Sequence, residues 1–140
     1  MDPRKSTQRR DTVLALLTNL EIDGFVVAQL RSIEGSAALL TDIAAGRVKA
    51  SAYQRRNAAY VLGRLGEQGA VPTLVSILRT GDRALRLSAV VALAAIDLDA
   101  EAQGALTRFA EDKGTDAVEA VYAREAVQAS RHRIKGLRLR

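Results

Sequence analysis

Gln54-Arg55-Arg56-Asn57-Ala58-Ala59-Tyr60-Val61-Leu62-Gly63-Arg64-Leu65 and Leu85-Arg86-Leu87-Ser88-Ala89-Val90-Val91-Ala92-Leu93-Ala94-Ala95-Ile96 are two copies of one helical phrase. Arg55 falls on Arg86, Ala58 on Ala89, Leu62 on Leu93 and Leu65 on Ile96, each at an offset of 31 (86 minus 55). A fixed offset in the range of roughly 20 to 50 residues marks a chain built by stacking one supersecondary unit. Each unit has apolar stripes it cannot bury alone, and stacking hides them in a continuous core. The small side chains of Ala58 and Ala89 permit close helix approach, and both copies predict a buried Leu at 62 and 93.

Outward from this phrase the chain continues in the same manner. Ala70 to Leu78 reads as a helix with Pro72 in its first turn, where a missing N–H costs little. Thr80-Gly81-Asp82 makes a turn, and Asp82 is a good cap for the second copy. A partner helix follows from about Ala100 to Asp112, and a last long helix runs roughly from Asp116 to His132. In that helix Ala120 stands where Arg86 stood, so the Arg position has drifted. Upstream, a first helix is predicted from about Arg10 to Leu20, a second after Asp23 with Phe25, Val26, Leu30 and Ile33, and a third after Ser36 with Leu39, Leu40, Ile43 and Ala44. Gly35 and Gly46 are expected to end the second and third helices, and Ser51 to start the helix carrying the first phrase. Gly63 and Gly66 are read as letting the chain turn sharply. No segment has strand period. The prediction is an all-α, right-handed α-solenoid of about seven helices in stacked antiparallel pairs.

The run Arg55…Ala58-Ala59…Leu62-Gly63-Arg64-Leu65-Gly66, then Ala70-Val71-Pro72…Leu74…Leu78, then Asp82…Leu85-Arg86, resembles the HEAT repeat, particularly the short bacterial form of phycobilisome-lyase-like HEAT domains. A second unit matches from Leu85 to Phe109 and a third, partial one from Val118 to Val127. The resemblance implies that Arg55 and Arg86 pair with an acid or carbonyl of the adjacent inter-helix turn, with Asp82 a candidate for Arg55. It also implies that the second helix of each pair lines a concave groove. The exposed positions there are expected to be Thr73, Ser76, Arg79, Thr80, Arg108 and Glu111, a mix of polar and charged groups suited to holding a protein.

Composition narrows the chemistry. The chain has 140 residues, 48% hydrophobic, no Cys and no Trp. One domain with an aliphatic core follows, without disulfides, thiolate metal sites or Cys nucleophiles. Charges interrupt every apolar run, so no membrane span is expected, and a cytoplasmic location is inferred. The net charge of +5 is unevenly placed. Arg4, Lys5, Arg9 and Arg10 against Asp2 give residues 1–10 a net of +3, and Arg131, Arg133, Lys135, Arg138 and Arg140 give residues 131–140 a net of +5, which leaves −3 for residues 11–130. Such tails suit phosphates or an acidic partner, with salt-sensitive affinity. The organisation expected is a disordered basic tail over 1–9, a solenoid over 10–132 and a basic C-terminal tail over 133–140.

Catalytic constellations are missing from the sequence. His132 stands alone in the Arg-rich end, without the convergent ligands a metal needs. Asp97/Asp99 and Glu111/Asp112 sit at predicted helix ends, where acids cap or face water; Glu111 and Asp112 at a helix C-terminus oppose the dipole. Gly63-Arg64-Leu65-Gly66 lacks the strand that a phosphate loop requires. The acidic body argues against a solenoid wrapping DNA in the manner of HEAT-like alkylpurine DNA glycosylases.

The first reading is a non-enzymatic protein-binding scaffold without a cofactor, its basic tails assisting by electrostatic steering. The second is a nucleic-acid-associated accessory factor that holds phosphates through its Arg-rich ends. A third is an enzyme subunit resembling phycobilin lyase components. Partner identity and oligomeric state are left open by the sequence.

Overall fold

The computed structural model describes the backbone of residues 3–138 and side chains from residue 3 to residue 132. Eight α-helices succeed one another within this range: α1 Pro3–Leu16, α2 Gly24–Ser32, α3 Ser36–Ala45, α4 Ala52–Arg64, α5 Val71–Thr80, α6 Arg83–Ala95, α7 Ala100–Glu111 and α8 Ala117–Arg138, with one 3-10 turn, Gln68–Ala70, before α5. No strand is present among the described residues.

Side-chain caps set most of the starts. The carboxylates of Asp23, Asp82, Asp99 and Asp116 accept hydrogen bonds from the N–H groups of Val26, Leu85, Ala102 and Glu119, three residues on. Ser51 and Gln54 form a reciprocal capping box at α4. Each cap satisfies one N–H that the helix itself leaves unpaired. Gly46 closes α3 in the left-handed conformation at φ 84°, as expected from its place in the sequence.

Several boundaries differ from expectation. Residues 3–9, expected to be disordered, are the first two turns of α1, which begins at Pro3, where the missing N–H is harmless. This helix stops at Leu16 rather than Leu20. Gly35 precedes α3 at φ 75° instead of ending α2, and Ser36 is the first, buried residue of α3 rather than its cap. α8 runs to Arg138, so the backbone of 133–138 continues the last helix where a separate tail was expected. Residues 1, 2, 139 and 140 lie outside the described residues.

The helices form two rows. α4, α6 and α8 pack closely side by side, while α3, α5 and α7 touch one another more sparingly. The hairpins are α3–α4, α5–α6 and α7–α8. This register differs from the one anticipated: α5 pairs with α6, which follows it, so α5 and α7 are the first and not the second helices of their pairs. The residues expected to line an inner groove therefore belong to the more widely spaced row.

One aliphatic seam joins the rows. Leu62 and Leu93, the matched pair of the repeated phrase, are both fully buried, as are Ala58, Ala89, Leu74, Leu106 and Ala123. Gly63 does not turn the chain. It sits inside α4, where a Cβ would come within 2.5 Å of the Ala92 Cα, so its missing side chain is what lets α4 and α6 approach so closely. Gly66, at φ 64°, makes the turn. Leu20 and Phe25, counted among the apolar sets of the first two helices, point into water at 92% and 71% exposure. Tyr53, Gln54 and Asn57 on α4 donate hydrogen bonds to carbonyls at the end of α1, including those of Leu14 and Leu17, and so fasten the N-terminal helices to the stack.

Candidate functional site

Because α5 and α7 are spaced apart, a cleft of about 680 Å³ opens between them. Val75 and Leu78 of α5 and Ala105 and Phe109 of α7 form its apolar floor. Asp99 and Glu101 line it from the start of α7; Arg79, Arg86, Arg108 and Asp112, with the turn residues Gly114 and Thr115, line it from the other end of the helices, the Arg108 guanidinium lying back over Gly104. The volume lies within the range of roughly 300–1,000 Å³ typical of ligand clefts.

The charged groups at the Arg end differ in how committed they are. Arg86 is fixed: its Nε and Nη2 donate to the two carboxylate oxygens of Glu119, both at 2.9 Å, and Nη1 donates to the Gly81 carbonyl at 2.9 Å. Glu119 is 1% exposed, so this is a buried, bidentate pair tying α6 to α8. The hydrogen bond to Glu119 raises the Arg86 pKa further above its ordinary value. Asp112 accepts from the Gly114 N–H at 2.7 Å, which accounts for an acid at a helix C-terminus: it holds the α7–α8 turn. Arg79 and Arg108 are exposed and make no hydrogen bond or ion pair with another described residue. They are the free cations of the cleft.

Beside this pair, Arg83 donates to Asp116 at 2.6 Å on the surface. The Glu119 backbone N–H and then Arg83 hold the Asp116 pKa down from 3.8 to about 2. A carboxylate with a depressed folded pKa contributes stability above its unfolded pKa and loses it as pH falls through the folded value. Asp116→Asn keeps an oxygen to cap α8 but removes this titration. Urea unfolding at pH 4, 3 and 2 should show a flatter acid limb for the variant than for the parent chain; parallel limbs would rule out this role for Asp116.

The residues anticipated from sequence separate into groups. Of the six groove positions, Arg79 and Arg108 line the cleft. Thr73, Ser76, Thr80 and Glu111 lie on α5 and α7 but do not line it, and the Thr80 hydroxyl donates to the Ser76 carbonyl within its own helix. Arg55 does not pair with Asp82; its guanidinium donates to the Ala44 carbonyl at 3.2 Å and lies over Gly46. Arg4, Lys5 and Arg10 are exposed on α1, and Arg9 reaches over Gly35. Arg131 is exposed on α8, as is His132. The side chains of Arg133, Lys135, Arg138 and Arg140 lie outside the described residues. α1 packs on α2 and α3, while α8 packs on α6 and α7. Sequence reading missed Glu119: aligning Ala120 with Arg86 hid the acid one place earlier, although an acid in the first turn of α8 was the available signal.

Among the described residues no helix is long and apolar enough to cross a membrane. No curated protein and no solved structure matches the chain at a significant level. A family profile for HEAT repeats matches residues 34–127, which span α3 to the middle of α8 and take in the cleft and both copies of the repeated phrase. The two-row stack, the repeated Arg-Ala-Leu phrase and this match agree: the chain belongs to the HEAT repeat family.

Proposed function

We propose that the protein is a non-catalytic binding scaffold whose α5–α7 cleft holds a short segment of another protein. The observation that carries this reading is the pairing of an apolar floor with two uncommitted guanidinium groups, Arg79 and Arg108, in one preformed cleft. α5 has 10 residues and so is about 15 Å long at 1.5 Å per residue. An extended chain advances about 3.3–3.6 Å per residue, so four or five residues fit along it. Apolar side chains of the segment fill the floor and its acid meets Arg79 and Arg108. The cleft is already formed, so little ordering opposes binding. We further take the protein to be of the short bacterial type that its Arg55-to-Arg86 phrase resembles, acting inside the cell.

The absence of cysteine from the sequence gives a clean test. Ala105→Cys on the cleft floor and Gln8→Cys on the exposed side of α1 each carry one thiol-reactive photocrosslinker. Crosslinking in the source cells should join a discrete protein to position 105 and not to position 8. Equal adducts at both positions, or none at 105, would reject the cleft as the binding site.

A further inference from the structure

The other side of the stack carries a second, separate feature. The outer face of the α4–α6–α8 row presents Val91 of α6 and Val118, Val121 and Tyr122 of α8, all exposed. Helical spacing puts the half-buried Leu87 beside Val91, one turn away, and α6 packs on α8, where the exposed Arg124 and Glu125 share the face with Val121 and Tyr122. Exposed apolar side chains gathered on one face mark an interaction surface. Its α4 border is cationic. Arg56 lies over the Tyr53 ring at 5.6 Å with its Nε buried and lacking a hydrogen-bond partner, and Arg64 makes no ion pair among the described residues.

The complementary chemistry is present in the same chain. Among the described residues the two most exposed large apolar side chains, Leu20 and Phe25, flank Glu21 and Asp23 at the α1–α2 connection. That connection is fixed in place. The Tyr53 hydroxyl donates to the Asn19 and Leu20 carbonyls at 2.9 and 3.1 Å, and Asp23 caps α2 through the Val26 N–H. The loop is thus displayed in one conformation, acidic and apolar, opposite in charge to the border of the face. Within one molecule the loop reaches only the α4 border, where Tyr53 holds its carbonyls and lies under Arg56. The loop is held against α4 at Asn57 and Tyr60, and α8 lies two helices further along the row, roughly 20 Å away at 8–10 Å per helix.

We propose that the Leu20–Phe25 loop of one copy docks on the α6–α8 apolar face of a second copy, its acids facing the guanidinium border. Leu20 and Phe25 leave water against Val91, Val121 and Tyr122, and Glu21 comes to face the exposed Arg64 at the border. Reciprocal docking closes a dimer; one-way docking continues into a chain of copies.

Sedimentation of the full-length protein over a wide concentration range tests this with two variants, Leu20→Ser/Phe25→Ser in the loop and Val91→Ser/Val121→Ser on the face. All four positions are exposed, so helix content by circular dichroism should match the parent. The parent should associate with rising concentration, and each variant alone should associate at least tenfold more weakly. An equimolar mixture of the two should recover association, because one intact loop still meets one intact face. A parent that stays monomeric throughout, a loop variant that associates as well as the parent, or a mixture that stays monomeric would each overturn the proposal.

Discussion

Arg86→Met should lower unfolding stability by about 3 kcal/mol, the low end of what removing one partner of a buried ion pair costs. The reason lies in Glu119, which is 1% exposed and takes both of its close guanidinium contacts from Arg86. Without Arg86 the carboxylate is left buried with Arg83 at 3.9 Å as its remaining cation, and that guanidinium is more than half exposed and already bonded to Asp116. The low end of the range applies because Arg83 gives partial relief and because the Arg86 side chain is itself 26% exposed. A domain of ordinary stability has about 5–15 kcal/mol in total, so the melting temperature should drop by roughly 10 °C. The double variant Arg86→Met/Glu119→Leu should recover most of the loss, since replacing both charges removes the desolvation cost along with the attraction. Urea denaturation of the three proteins checks this. A single variant as stable as the parent, or a double variant worse than the single, would show that the pair does not join α6 to α8 as described.

Gly63→Ala should destabilise by about 2 kcal/mol, despite a gain in helix propensity of about 1 kcal/mol, because overpacking costs typically 1–3 kcal/mol and occasionally more. The atoms in the way decide the sign. The new Cβ would lie 2.5 Å from the Ala92 Cα and 3.0 Å from its carbonyl oxygen, and neither can swing aside as a side chain can. α4 and α6 have to part, opening the seam along their length. Ala92→Gly in the same chain removes only the Ala92 Cβ, which lies at 2.9 Å, and should restore less than half of the loss. A stabilised Gly63→Ala protein in thermal unfolding would mean that the helices are not in contact at this point.

These two positions also show what was legible in the sequence. The repeated phrase announced the stack, the buried pair Leu62 and Leu93, and the caps Ser51, Asp82 and Asp23, because caps and apolar spacing are local properties of the chain. Gly63 was visible as a glycine, but only the approach of α6 reveals that it is a packing residue and not a turn. Which neighbour a helix chooses is equally non-local: the 31-residue offset is satisfied whether α5 pairs with α4 or with α6, and the packing decides for α6. Arg55 was legible as a turn-binding residue, yet its partner is the Ala44 carbonyl behind it and not Asp82 ahead. Leu20 and Phe25 fit a helical apolar pattern and still end in solvent: α1 stops at Leu16 and leaves Leu20 in the connection, and Phe25, in the first turn of α2, faces away from the buried Val26, Val27 and Leu30. At the cleft, Arg79 and Arg108 were anticipated as exposed residues of the two helices that flank it. The floor of Val75, Leu78, Ala105 and Phe109 was not, since a cleft exists only once two helices stand apart.

Recognition through the cleft is tested most directly by the affinity of the crosslinked partner for the parent protein and for Arg79→Glu/Arg108→Glu, measured by calorimetry with helix content checked alongside. Both side chains are exposed and uncommitted, so the variant should fold as the parent does and bind at least tenfold more weakly, a loss of about 1.4 kcal/mol or more. Unchanged affinity in a folded variant would contradict recognition by the α5–α7 cleft.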